Sequence, residues 1–217
     1  EGQAKEAIIS FIASSTDSNS AGFIPVADRI AVFDNDGTLW SEQPMYFQLQ
    51  FAIDRVKALP SEHPEWAQEQ PFKAILENDI EQFVATGTKG ILEVVMTTHA
   101  GMTTEEFDLV VSNWINSAKH PKTGRLYKEM VYQPMLELLD YLRVNDFKLF
   151  IVSGGGLDFM RPWAEEVYGI RKENIVGSSG KSIFELTEEG AVIRKLPELD
   201  FIDDKEGKPL GINKFIG

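Results

Sequence analysis

The 217-residue sequence contains no cysteine, which excludes disulfide bonds, thiolate metal sites and cysteine nucleophiles. Basic residues are also scarce: 21 lysines and arginines stand against 34 aspartates and glutamates, and the formal net charge is -13. This balance argues against a nucleic-acid partner, because phosphate backbones require basic surfaces. No apolar run approaches the roughly 20 residues that cross a bilayer, so no membrane span is expected.

What the sequence does contain is typical of a globular protein. Hydrophobic residues make up 43%, enough for a packed core. The length suits one domain, or one domain with an inserted subdomain. The first residue is Glu1 rather than methionine, so the chain is either trimmed or mature after removal of a signal peptide. Both the cytoplasm and the periplasm or exterior therefore fit, and the oligomeric state is not determined.

Apolar periodicity predicts strands separated by helices. Residues 29–33 form a short apolar run that ends in Asp34, and residues 148–152 form a second that leads into Ser153. Both runs are typical of buried parallel strands. From residue 44 to about 119 the spacing between them is helical throughout.

Local signals place several element boundaries. Pro44 suits the first position of a helix, and Thr103 with Glu106 predicts a capping box at the start of another. A further helix is expected near the N-terminus, over residues 4–12. The elements expected after Ser153 are a helix, a short strand, a hairpin and the start of another helix, at residues 157–167, 175–176, 183–193 and 207–212.

This order predicts an α/β fold with a Rossmann-like parallel-sheet core and an inserted α-helical cap. The core is expected to combine residues 1–41 and 131–217, and the cap to comprise residues 42–130. Right-handed crossovers would bring the carboxyl ends of the strands to one edge of the sheet. Asp34 and Ser153 follow those ends, and open α/β sheets bind ligands there.

Two carboxylates, Asp34 and Asp36, lie two residues apart directly after the first strand. Alternate side chains of an extended segment share a face, so the two like charges need a cation to hold them together. Mg²⁺ fits, because it is often held by one or two carboxylates with substrate phosphate. A solvated turn is the alternative. A calcium loop is excluded, because its twelfth position requires glutamate and is Met45 here.

Two motifs together resemble those of the haloacid dehalogenase superfamily. Residues 34–38, Asp-Asn-Asp-Gly-Thr after a strand, are similar to its first motif. Residues 150–155, Phe-Ile-Val-Ser-Gly-Gly, are similar to its second motif in phosphoserine-phosphatase-like members. The helical segment after the first motif resembles their type-one cap, and the hairpin after the second motif is also similar to theirs.

The resemblance implies a Mg²⁺-dependent phosphatase that hydrolyses a small phosphomonoester through an aspartyl-phosphate intermediate. Asp34 would be the nucleophile, and Asp36 the general acid and base. The Asp34 carboxylate and the Asp36 backbone carbonyl would bind Mg²⁺. Ser153 would hydrogen-bond a phosphoryl oxygen, and the amide of Gly154, at the opening of a helix, would add a donor. A helix N-cap is the alternative role for Ser153.

The resemblance also implies a lysine that neutralises the phosphoryl group and the nucleophile. Lys208 fits best, because it lies at a predicted helix start after the hairpin; Lys214 and Lys181 are less favoured candidates. The family's fourth motif, a strand ending in acidic metal ligands, is not found, so the C-terminal part of the core is expected to be missing. Asp203-Asp204 is a superficial candidate without a predicted apolar strand before it, and a solvated turn is the preferred interpretation.

The cap is expected to determine the substrate. Glu42 lies one residue short of the position where phosphoserine phosphatases place a substrate-contacting acid, so it is either a site residue or a surface charge. Trp40, Met45, Tyr46 and Phe47 either line an apolar pocket or, as preferred, pack cap against core. His99 and Arg55 are further candidates. The substrate-binding residues expected beside the catalytic ones are Thr38, Glu42, Gly154 and Gly155.

Several functions therefore stay open. The leading one is a phosphatase for a small phosphorylated metabolite, either phosphoserine-like or broad in specificity. Carbon–halogen hydrolysis dispenses with Mg²⁺ and typically lacks the second aspartate, so Asp36 argues against it. The pattern is also compatible with a phosphonatase, with a phosphotransferase and with a non-catalytic binding domain of the same fold.

Overall fold

The computed structural model describes residues 2–217, so Glu1, on which the expectation about the compartment depends, lies outside the described residues. The fold is α/β, as predicted. The strands are β1 Ile30–Phe33, β2 Lys148–Gly156, β3 Ile175–Thr187 and β4 Gly190–Phe201. The α-helices of this part of the chain are α1 Gln3–Thr16, α2 Phe47–Ala58, α3 Phe72–Leu76, α4 Ile80–Ala85, α5 Gly87–His99, α6 Thr104–Ile115, α7 Gln133–Arg143, α8 Leu157–Tyr168 and α9 Gly207–Phe215.

The four strands form one sheet in the order β1-β2-β3-β4. β2 is parallel to both β1 and β3, and β3 pairs antiparallel with β4. Phe33, the last residue of β1, lies opposite Ile151 of the parallel strand β2, so Asp34 and Ser153 lie at the same edge of the sheet. The prediction of a shared carboxyl edge is thus confirmed. The expectation that β1 is fully buried is wrong, because β1 lies at the edge of the described sheet and Val32 is half exposed.

Two hydrophobic clusters stabilise these elements. The larger joins strand β2 to helices α6, α7 and α8, with Phe51, Phe107 and Trp163 fully buried within it. The smaller lies within residues 45–95 and is built by helices α2, α3, α4 and α5. Each large apolar side chain buried in this way contributes about 1.5–3 kcal/mol to folding. Helices α2 to α5 therefore have a core of their own and also pack on the sheet.

The hairpin and the helix start at Thr103 match their predictions. Thr103 Oγ1 accepts from the Glu106 amide at 3.2 Å, and Glu106 Oε2 accepts from the Thr103 amide at 2.8 Å. Residues 187 and 190 pair at the turn between β3 and β4. Both strands are longer than expected, and β3 continues from the predicted short strand into the hairpin without a break. None of the described helices is long and apolar enough to cross a membrane.

Other boundaries differ from the sequence expectations. Helix α2 begins at Phe47 rather than at Pro44. The chain before it pairs elsewhere, since the Ser41 amide donates to Met130 O at 2.9 Å. Strand β2 continues through Gly156, so α8 begins at Leu157 and is capped by Gly156. The N-cap role considered for Ser153, and the placement of Gly154 at a helix start, are therefore wrong.

Candidate active site

The loop after β1 carries Asp34 and Asp36, and buried contacts fix its shape. The buried side chain of Asn35 accepts a hydrogen bond from the Tyr168 hydroxyl at 3.0 Å, which ties the loop to helix α8. Gly37 has a φ of 72°, a left-handed conformation that glycine adopts without a steric penalty. The two aspartates are thus held on a turn of defined geometry at the carboxyl end of the strand.

Asp36 lies in a buried environment that favours its protonated form. The indole N–H of Trp40 donates to Asp36 Oδ1 at 2.8 Å, and Trp40 stacks on Trp163 with ring centroids 4.4 Å apart. The pKa of Asp36 is raised from 3.8 to about 6, chiefly because the group is buried. The Trp40 hydrogen bond opposes this rise, whereas the Asp34 and Glu42 carboxylates add to it.

Ser153 and the glycines after it face Asp36 across a narrow gap. A methyl group added to Gly155 would lie 3.4 Å from Ser153 Oγ and 3.6 Å from Asp36 Oδ2, so both oxygens converge on one point. Ser153 is buried, and its Oγ accepts from the Gly155 amide at 3.1 Å, which leaves its own O–H available to donate. Gly177 of β3 allows this approach, because a methyl group there would lie 2.7 Å from Gly155 O.

Lys208 is the lysine that the structure brings to this place. Its ammonium lies 2.9 Å from Asp34 Oδ2, and both side chains remain partly exposed. The two less favoured lysines lie elsewhere: Lys214 is stacked over Phe215 at 5.0 Å, and Lys181 pairs with Glu198 at 2.6 Å. Lys208 belongs to the first turn of α9, as its position after the hairpin predicts.

The segment before α9 contains a carboxyl group that sequence reasoning placed in solvent. Asp203 is 0% exposed, follows strand β4 closely, and has no well-formed hydrogen bond to either carboxylate oxygen among the described residues. Burial raises its pKa from 3.8 to about 6, against the lowering effect of nearby Lys208. Ser178 connects this segment to the last three residues of β2, 154–156, here called the glycine loop. Its Oγ accepts from the Asp203 amide at 3.0 Å and donates to Gly154 O at 2.8 Å. The solvated-turn interpretation is therefore wrong for Asp203.

Gln48 of helix α2 links the helices after β1 to the glycine loop. Its Oε1 accepts from the Gly156 amide at 2.7 Å, and its Nε2 donates to Nε2 of His99 at 3.2 Å. His99 Nδ1 lies 3.1 Å from Thr98 Oγ1, which itself donates to Val94 O at 2.8 Å. The hydrogen bonds among Gln48, His99 and Thr98 each pair a donor with an acceptor if the imidazole is neutral with its proton on Nδ1. Burial lowers the pKa of His99 to about 3, in agreement with the neutral form.

These groups line one cavity of about 480 Å³, a size typical of small-molecule sites. The predicted residues that line it are Asp34, Asp36, Ser153, Gly154, Gly155, Lys208, Tyr46 and His99. Thr38 and Glu42 are not part of the lining. Thr38 lies in the turn after Asp36, and Glu42 lies against Gly37, where an added methyl group would meet its Oε2 at 2.7 Å. Their substrate-binding roles stay predictions.

The remaining candidates are mostly structural. Trp40 and Phe47 are fully buried, and Met45 packs against the smaller cluster, which agrees with the preferred packing role. Arg55 contacts Met102 Sδ at 3.8 Å. Sequence reasoning missed several lining residues, among them Gln48, Asp158, Lys195 and the apolar side chains of helix α5 and of the β4 region. Only the side chains on α5 had a signal in the sequence, an i, i+4 spacing of Ile91 with Val95 and of Leu92 with Met96.

The donor set suits a magnesium ion better than a metal held by protein alone. Among residues 2–217 no group of three or more histidine, aspartate or glutamate side chains could hold a metal. Mg²⁺ needs fewer, since one or two carboxylates with phosphate and water commonly bind it. Asp34 supplies a carboxylate and Asp36 a backbone carbonyl on the same turn, and a bound cation would offset the Asp34 charge that contributes to the raised pKa of Asp36.

Comparison with known proteins identifies the family. The family model for haloacid dehalogenase-like hydrolases matches residues 31–196, which is most of the chain and includes Asp34, Asp36 and Ser153. The chain belongs to the haloacid dehalogenase-like hydrolase family. The match ends before Lys208, so it carries no information about that lysine. No curated protein matches the chain in sequence.

Two solved structures have a similar fold. A protein of unknown function from Bordetella pertussis Tohama I aligns with a TM-score of 0.58 at 14% identity, over 86% of this chain and 73% of that one. A conserved, functionally unknown protein from Anaerococcus prevotii DSM 20548 aligns with a TM-score of 0.60 at 17% identity, over 99% and 76%. At these identities the similarity shows a shared fold.

A phosphoserine phosphohydrolase-like protein from Francisella tularensis subsp. tularensis SCHU S4 aligns less well. Its TM-score is 0.41 at 18% identity, over 86% of this chain and 71% of that one. A score of this size does not establish a shared fold.

Proposed function

We propose that this haloacid dehalogenase-like hydrolase is a phosphatase that hydrolyses a small phosphomonoester through a phosphorylated aspartate. The observation that carries the proposal is the ion pair between Lys208 Nζ and Asp34 Oδ2 at 2.9 Å, in the cavity that Asp36 and Ser153 also line. One phosphoryl group would then be surrounded by the nucleophilic carboxylate of Asp34, the raised-pKa acid Asp36, the hydroxyl of Ser153 and the ammonium of Lys208.

In the first step, an oxygen of the Asp34 carboxylate attacks phosphorus and forms an acyl-phosphate bond. The bond from phosphorus to the leaving oxygen breaks, and Asp36 gives its proton to that oxygen. In the second step, Asp36 takes a proton from water while the water oxygen attacks phosphorus. The bond to Asp34 then breaks, which releases inorganic phosphate and restores the Asp34 carboxylate and the protonated Asp36.

The other groups hold the phosphoryl oxygens. The Ser153 hydroxyl and the amide of Gly154 would donate hydrogen bonds to these oxygens, and the Lys208 ammonium would balance negative charge. Gly155 lies between Ser153 and Asp36 and leaves room that a side chain would fill. Mg²⁺ would be held by the Asp34 carboxylate and the Asp36 backbone carbonyl. When bound, it would neutralise phosphate charge and bring the phosphate close to the nucleophile.

The helices after β1 form the cap of this proposal. Residues 42–130 would be the cap, and residues 1–41 and 131–217 the core. The Gln48 side chain spans the two, because it belongs to α2 and hydrogen-bonds the Gly156 amide of the core. The separate hydrophobic cluster within residues 45–95 supports this division. Helix α6 packs instead with α8 in the larger cluster, so the cap would be firmly attached at its C-terminal side.

Turnover of para-nitrophenyl phosphate with Mg²⁺ tests the proposal. Asp34→Asn should abolish turnover, because an amide is not a competent nucleophile, and Lys208→Met should reduce kcat by about 10²–10³-fold, as for other charge-stabilising groups. Lys214→Met, on the same helix but stacked over Phe215, is the matched control and should retain wild-type activity. Persistent turnover by Asp34→Asn, or equal losses in the two lysine variants, would contradict the assigned roles.

A further inference from the structure

The cavity has two chemically different ends. The phosphate end carries Asp34, Lys208 and the glycine loop, whereas the far end is walled by helix α5 and by strand β4 with the residues after it. Leu92, Val95 and Met96 line the wall on α5. Leu196, Leu199 and Ile202 line the other wall. Both walls are therefore made of apolar side chains, from about one turn of α5 and from the second half of β4 with the residue after it.

The two walls meet in tight contact at the base. A methyl group added to Gly180 of β3 would lie 3.1 Å from Met96 Cε, so the α5 wall packs directly on the hairpin. Towards the opening the apolar side chains lose this cover: Leu92 is 36% exposed, Ile202 50% and Tyr46 59%. Apolar surface left in water inside a concave site costs free energy that an apolar ligand recovers.

The far end also lacks the charges that would recognise a charged leaving group. Among the described lining residues, the charged side chains are Asp34, Asp36, Asp204, Lys208, Asp158 and Lys195. The first four belong to the phosphate end or to the segment beside it. Asp158 and Lys195 form an ion pair with each other, and Lys195 also lies 5.0 Å from the centre of the Phe107 ring. An amino-acid leaving group would need its own counter-charges for ammonium and carboxylate.

We propose that the natural substrate is a phosphomonoester with an uncharged, apolar leaving group, which binds between the α5 wall and the β4 wall. This inference rests on the proposed phosphatase function for its phosphate end. It replaces a phosphoserine-like substrate with one whose specificity comes from buried apolar area. Leu92 and Ile202, which lie at the opening, are the specificity-determining residues of this subsite.

Binding of alkylphosphonates, which resemble the substrate but have no ester bond to hydrolyse, tests the subsite directly. Isothermal titration calorimetry with Mg²⁺ would compare methyl-, butyl-, hexyl- and octylphosphonate. Affinity should rise by up to about fourfold per added methylene group until the cavity is filled. Benzylphosphonate beside hexylphosphonate separates an aromatic from a flexible aliphatic leaving group. O-phosphoserine should bind more weakly than an alkylphosphonate of similar size.

Two neutral substitutions locate the effect. Leu92→Gln and Ile202→Gln should each reduce octylphosphonate affinity about three- to tenfold and leave methylphosphonate affinity unchanged, because they remove apolar contact without altering charge. Leu109→Gln is the matched control, since Leu109 is an exposed leucine on α6 outside the cavity lining. It should leave both affinities at wild-type values.

The outcomes separate this inference from the function beneath it. Hydrolysis of alkyl phosphates with no dependence of phosphonate affinity on chain length would overturn the apolar subsite and keep the phosphatase. Rising affinity with no hydrolysis of any ester would support the subsite and reject the phosphatase. No phosphonate binding at any chain length, or tighter binding of O-phosphoserine, would overturn the subsite.

Discussion

His99 gives the most direct physical test of how the cavity is built, because its imidazole must stay neutral. It is buried beside the cavity and accepts a hydrogen bond from Gln48 Nε2 at 3.2 Å. Protonation would place an N–H against that amide N–H₂ group and would put a cation near Lys195 and Arg55. The pKa of His99 is lowered from 6.5 to about 3, first by burial and then by these two positive charges.

The sign and the size of the effect follow from this shift. A histidine with a lowered folded-state pKa contributes stability that is fully present above pH 6.5 and is lost as the pH falls toward 3. At about 1.36 kcal/mol per pKa unit, wild-type protein should lose about 2 kcal/mol between pH 7 and pH 5 through this group alone. His99→Gln cannot titrate, and its amide oxygen can still accept from Gln48.

The assay is urea unfolding at pH 7, 6 and 5, followed by tryptophan fluorescence. From pH 7 to pH 5, the free energy of unfolding of wild type relative to that of His99→Gln should fall by about 2 kcal/mol, which favours the variant at pH 5. An NMR titration of the His99 ring protons should show no protonation above pH 5. Parallel pH dependences for the two proteins, or an imidazole that titrates near 6.5, would refute the reasoning.

Three further predictions concern Gln48, Asp203 and the metal dependence of turnover. Gln48→Leu should lower the free energy of unfolding by about 2 kcal/mol in urea, because the Gly156 amide and His99 Nε2 lose their partner; Gln50→Leu, whose amide contacts only Asp54, should cost less. Asp203→Asn should raise the free energy of unfolding by about 2 kcal/mol at pH 8. The reason is that a carboxyl with a raised pKa contributes stability below pH 3.8 and loses that contribution as the pH rises through about 6. The gain should vanish at pH 4, and an equal gain at both pH values would contradict it. Turnover should require Mg²⁺, so chelation by EDTA should stop hydrolysis and added Mg²⁺ should restore it.

The sequence alone predicts those parts of the site that depend on strand ends. Asp34 and Ser153 each follow an apolar run, and parallel pairing of the two runs brings them to one edge. The sequence also favours Lys208 from its place at a helix start after the hairpin, and in the structure its ammonium lies beside Asp34, while its role stays a prediction. These relations depend on local pattern and chain order, which are both visible in the sequence.

Contacts across elements far apart in the chain escape such reasoning. Gln48 meets the Gly156 amide 108 positions away, and nothing in its local pattern marks it as a bridge. Asp203 looks like a solvated turn because Asp204 and Lys205 follow it, yet packing of α9 on β3 buries it completely. Gly154 looks like a helix start because glycines rarely continue a strand. Close approach of Gly177 keeps the strand going instead.

The central claim is that Asp34 carries the phosphoryl group between substrate and water, and trapping that species tests it most directly. Protein mixed with substrate and Mg²⁺ would be quenched in acid within milliseconds, digested, and analysed by mass spectrometry. We expect a phosphorylated peptide containing Asp34 in wild type, its accumulation in Asp36→Asn if the second step slows more than the first, and its absence in Asp34→Asn. Steady turnover with no modified Asp34, or a phosphoryl group found on another residue, would contradict the account.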